Sequence, residues 1–97
     1  MPTPPASIES MRNLGPACAV MLRAAGITTP DELRAAGAVD AYMRARYAVG
    51  RRSASLNLLY ALWGALEDVR WDEVPEDVKA RLREEAGVEP ARQRRRG

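Results

Sequence analysis

Proline and glycine divide this sequence into segments too short for anything but small helices. Pro16, Pro30 and Pro75 each stand at the front of an apolar-periodic run, and Gly26, Gly37, Gly50 and Gly87 each follow one. Proline suits the first helical position because its missing N–H has no intrahelical acceptor there. Glycine just past the last turn accepts the left-handed backbone that closes a helix. Between these marks the apolar residues recur at three- and four-residue spacing, and no stretch alternates as a half-buried strand does. The predicted fold class is all-α, a compact bundle of five or six short helices.

Residues 1–6, "MPTPPA", read as a disordered lead-in. Ser7 is placed to cap a first short helix to about Arg12, and Asn13-Leu14-Gly15 forms a turn. A second helix covers about 16–25, with Cys18, Met21, Leu22 and Ala25 on its buried face. Thr29 caps the next helix, with Glu32 at the third position, as in a capping box. Ala38 to about Ala48 forms another, with Val39, Tyr42 and Met43 directed inward. Ser53 or Ser55 caps the most apolar helix, which runs to about Asp68 and carries Leu56, Leu58, Leu59, Leu62, Trp63 and Leu66. A helix apolar nearly all round belongs at the centre of a bundle or in a subunit interface. Gly64 within it is expected to allow a close helix crossing. Trp71 and Val74 are expected to fold back, ahead of a last helix from Pro75 to about Ala86. One domain is therefore expected over residues 7–87, followed by a basic disordered tail, 88–97.

Several functions are excluded or disfavoured by residue inventory. The chain has 97 residues, no histidine and one cysteine, Cys18. It can form no internal disulfide and no Cys/His zinc cluster, and it lacks the Ser-His or Cys-His pair of a nucleophilic enzyme. No carboxylate pair stands out for acid-base work, so no enzyme, metal or cofactor is expected. A lone cysteine, with no signal-peptide pattern and no membrane-length apolar run, points to a cytoplasmic protein. The net charge of +2 is unevenly placed. Residues 1–52 carry +3, residues 53–91 carry −5, and the four arginines of 92–97 supply the remaining +4. A basic contact surface therefore has to lie on the first half, the tail, or both.

The segment "RNLGPACAVMLRAAGI", 12–27, is the principal candidate site. Two short helices joined by a tight glycine turn form a helix-hairpin-helix-like motif. Its second helix would present the N–H groups of Gly15, Ala17 and Cys18 to a phosphate oxygen, with Asn13 at the corner. Arg12, Arg23, Arg51 and Arg52 would surround the turn if the Gly50 loop lies close, and Arg92, Arg94, Arg95 and Arg96 could act as a nonspecific arm. Such contacts hold a duplex backbone without reading its sequence. The bland alternatives are ordinary helix punctuation, solvated surface arginines and a free terminus. The acidic run Glu67, Asp68, Asp72, Glu73, Glu76 and Asp77 would face away from DNA, towards a protein partner, or would only favour a helix start. A protein-interaction module or homodimer, using helix 56–66 or this acidic face, is the competing reading.

Asn13-Leu14-Gly15-Pro16, Met21-Leu22, Ala25-Gly26-Ile27, Glu32-Leu33, Gly37-Ala38-Val39, Tyr42, Ser55 through Leu62, Ala65-Leu66 and Trp71 form one ordered pattern. Through it the chain, from about Ile8 to Leu82, resembles the C-terminal domain of the TfoX (Sxy) family of competence regulators. It implies an all-helical fold with a helix-hairpin-helix-like element and a link to regulation of DNA-uptake genes. The first part is also similar to the C-terminal domain of the bacterial RNA polymerase α subunit, a DNA-backbone-binding module. The general hairpin pattern has glycine where this chain has Asn13.

Overall fold

The computed structural model describes residues 7–50 and 53–88. The expected lead-in 1–6, Arg51, Arg52 and tail residues 89–97 lie outside the described residues. A 3-10 turn, Ile8–Ser10, precedes five α-helices: α1 (Pro16–Ala24), α2 (Pro30–Ala36), α3 (Ala38–Val49), α4 (Leu56–Glu67) and α5 (Glu76–Ala86). A second 3-10 turn, Trp71–Glu73, lies between α4 and α5. Among the described residues there is no strand.

Local chemistry explains the boundaries. Pro16 and Pro30 are each the first residue of their helix. The Thr29 hydroxyl accepts from the Glu32 N–H at 3.1 Å. The Glu32 carboxylate reaches back one residue further than a standard capping box, accepting from the Thr28 N–H at 2.7 Å and the Thr28 hydroxyl at 2.9 Å. Thr28 offers two donors at one place, and together they hold the carboxyl below its ordinary value of 4.5. The stretch predicted as a first helix, Ser7 to Arg12, forms only the 3-10 turn, in which Ile8 is the one buried residue. A segment this short cannot offset the cost of nucleating an α-helix. The tightest helix-to-helix corner is instead Gly37, which alone separates α2 from α3 at φ 85°.

α3 packs against α1, α2, α4 and α5 and is the hub of the bundle. It turns Ala38, Ala41, Tyr42 and Ala45 inward, and the small alanines let neighbouring helices approach closely. Met43, predicted inward, is exposed. It sits about 100° round the helix from Tyr42, and that angle is decided by which neighbours α3 has. α4 buries Leu58, Leu59, Tyr60, Ala61, Leu62 and Gly64 within the chain. Leu22, Ile27, Leu33, Leu59 and Leu62 are the largest fully enclosed side chains. The last helix is secured to α4 through Tyr60. Arg83 Nη1 donates to the Tyr60 hydroxyl at 2.8 Å, and Lys79 Nζ lies 5.3 Å from its ring centre. Val88 closes α5, its N–H donating to Arg83 O at 2.9 Å, and packs against the core. Of the two residues expected to fold back, Val74 is buried and Trp71 is 49% exposed.

Candidate nucleic-acid interface

The turn at Asn13-Leu14-Gly15 is tied to residues in the second half of the chain. Leu14 is buried, and its N–H donates to Met11 O at 3.2 Å. Asn13 has φ 72°, the left-handed region that asparagine tolerates better than most side chains. Its amide leaves the turn and reaches residues far along the sequence. Nδ2 donates to Val69 O at 2.8 Å and to Ala61 O at 3.3 Å, and Oδ1 accepts from the Trp71 N–H at 3.0 Å. Gly64 is the complementary feature in α4. A methyl group there would meet the Val69 carbonyl oxygen and would stand 2.5 Å from Asn13 Nδ2. The close approach expected at Gly64 is therefore to a loop carbonyl and a side-chain amide, with no helix crossing involved.

Beside the turn runs a groove of about 280 Å³, lined by Asn13, Cys18, Met21, Ser53, Ser55, Asn57, Leu58, Ala61 and Trp71. Cys18 is the third residue of α1, and Asn57 is the second of α4. The first turns of two helices therefore border one groove. Neither start is capped by a side chain: Gly15 precedes α1, and the Ser55 hydroxyl ahead of α4 makes no capping bond. The first α1 N–H to find a backbone acceptor is that of Ala19, to Gly15 O at 3.0 Å. Those of Ala17 and Cys18 belong to the unpaired first turn of the helix, which also carries the positive end of its dipole.

The charged residues are arranged less simply. Arg12 Nε lies 2.7 Å from the Asp68 carboxylate, and that hydrogen bond and charge raise the Arg12 pKa, with a smaller contribution from Glu73. Asp68 itself caps α4 in a left-handed conformation. Arg23 stands 3.9 Å from Glu9, and Arg70 pairs with Asp72 at 2.8 Å. Of the residues singled out by sequence, Asn13 and Cys18 meet in the groove, Gly15 starts the bordering helix, and Ala17 is exposed beside it. Arg12 and Arg23 are each held in an ion pair, and neither lines the groove. Arg51 and Arg52 lie outside the described residues, but Ser53, the next residue in the chain, lines the groove. The sequence pattern did not point to Met21, Ser53, Ser55, Asn57, Leu58, Ala61 or Trp71 at this site. Ser53 and Ser55 ahead of an apolar helix signal a helix cap as readily as a polar groove wall.

Among the described residues no group of three or more His, Cys, Asp or Glu side chains could hold a metal ion. None of the described helices is long and apolar enough to cross a membrane. The fold and groove define a small all-helical domain in which short helices meet at glycine corners and two of them open onto a shared cleft. The chain belongs to the TfoX C-terminal domain family, whose model matches residues 4–86. It is similar to the crystal structure of an uncharacterized protein from Listeria monocytogenes, at 30% identity and a TM-score of 0.74. That likeness covers 88% of this chain and 99% of that one. No curated protein matches the chain.

Proposed function

We propose that this chain is a non-enzymatic regulatory domain, related to competence regulators, that contacts duplex DNA backbone without reading its sequence. The observation that carries this reading is the pair of uncapped helix starts on one groove. Each contributes unpaired N–H groups and a partial positive charge, the arrangement that favours a phosphate oxygen. The hydroxyls of Ser53 and Ser55 and the Asn57 amide line the same groove and add neutral donors. In sequence Arg12 precedes the turn and Arg23 lies in the helix that follows it, and Arg51-Arg52 directly precede Ser53. Donors of this kind recognise phosphate and carry no base information. Because Asp68 and Glu9 already engage Arg12 and Arg23, the contact is weak, and its salt slope reports how many arginines leave those pairs for phosphate.

The test is anisotropy of a labelled random-sequence duplex across a salt titration. Ser55→Asp gives α4 a good capping residue and puts a negative charge in the groove. Its stability should hold while duplex affinity falls for every sequence. Arg12→Ala/Arg23→Ala should weaken binding uniformly and lower the salt slope by up to ~2. Removing residues 92–97 separates the tail's share. A wild type that binds no duplex at low salt ends this reading.

A second reading is favoured by the half-exposed Trp71 and by Met21 in the same groove, apolar groups of the kind a protein partner covers. Leu58, Leu59 and Leu62 are consumed by the chain's own core, so self-association would use Trp71 and the acidic face and not the buried side of helix 56–66. A dilution-resistant dimer in light scattering, without duplex affinity, would favour this reading.

A further inference from the structure

We infer that Asn13 is the positioning residue of the groove, the group that sets where its Trp71 wall stands. The proposal rests on the binding role above only for its ligand; the positioning itself is read from three independent features. The first is valence. Both Nδ2 hydrogens and the Oδ1 acceptor are committed to α4, to Val69 and to Trp71, so the amide has no donor left over for a phosphate. The second is the backbone. At φ 72° a glycine would close the turn with less strain, yet it would make none of the three bonds. The side chain at this position is therefore needed for more than the turn. The third is Gly64, whose missing Cβ is the space that the Asn13 amide and the Val69 carbonyl occupy.

The consequence is mechanical. Trp71 belongs to a three-residue 3-10 turn with no buried residue of its own. Its N–H to the Asn13 Oδ1 is a direct tie between that wall and the turn ahead of α1, and Asn13 and Trp71 both line the groove. Val69, two residues earlier, is held separately, its N–H donating to Gly64 O at 2.8 Å. Loss of the amide should therefore free Trp71 while leaving the end of α4 closed.

Asn13→Gly in the full chain is the deciding variant, because glycine keeps the turn's backbone conformation. Amide exchange followed by NMR should show the Trp71 N–H exchanging about 5- to 10-fold faster, the worth of one hydrogen bond, with the Val69 N–H still protected. On a labelled random-sequence duplex, Asn13→Gly should lower affinity several-fold with the salt slope unchanged, since no phosphate-neutralising charge is removed. Unchanged Trp71 exchange, or equal loss of protection at Trp71 and Val69, overturns the positioning role. Absence of wild-type duplex binding overturns the proposed function instead, and the exchange contrast alone then judges Asn13.

Discussion

Gly64→Ala sets two well-measured effects against each other. In an exposed helix interior, replacing glycine with alanine favours the helix by about 1 kcal/mol. Gly64 is not exposed: a new methyl there would lie inside contact distance of the Val69 carbonyl oxygen and 2.5 Å from Asn13 Nδ2. Val69 cannot simply retreat, because its own N–H is bonded to Gly64 O and closes the helix. Overpacking of this kind costs about 1–3 kcal/mol. Displacing the two Nδ2 bonds adds roughly 0.5–1.5 kcal/mol for each. After subtracting the helix gain, the variant should be less stable by about 1–5 kcal/mol, centred on ~3 kcal/mol. For a domain of this size that lowers Tm by roughly 10–25 °C. Urea denaturation and a thermal melt of both proteins measure it directly. A variant as stable as the parent, or more stable, would refute the packing argument and with it the fitted relation between Gly64, Val69 and Asn13.

Two further outcomes follow from the start of α2. Thr29→Ala removes the hydroxyl that accepts the Glu32 N–H and should cost about 1 kcal/mol in urea denaturation. Glu32, held below its ordinary pKa chiefly by the Thr28 N–H and hydroxyl, contributes stability that is fully present above the unfolded carboxylate value and is lost as pH falls through the folded one. Glu32→Gln should therefore flatten the acid-side loss of stability below about pH 4.5, and an unaltered acid limb in pH-dependent melts would contradict the assignment.

Helix boundaries were legible because their causes are local. A proline at the first position, a threonine cap or a left-handed glycine acts within one helical turn, so Pro16, Thr29-Pro30, Gly37 and Gly87 announce their roles in the residues beside them. Lateral position was harder to read. Met43 and Trp71 are apolar residues at plausible core spacing, and both are exposed, because spacing defines a face but not which neighbour covers it. The candidate site was half legible for the same reason. Asn13 and Cys18 are legible from the turn, while the rest of the groove comes from Met21 and from residues 53–71.

Asn13 shows where the division falls. The sequence alone determined an all-α chain of short helices, a turn at residues 13–15 and an uneven distribution of charge, all set by backbone preferences and composition. Only the tertiary structure decided what the asparagine does. Its partners are carbonyls and an N–H lying 48 to 58 residues away. A side-chain amide that fits a turn by its own φ looks the same in sequence whether it points to solvent or to a distant loop, because hydrogen-bond partners are chosen by packing. The same holds for the groove, which exists because α3 brings α1 and α4 into one bundle and leaves their first turns bordering the same space.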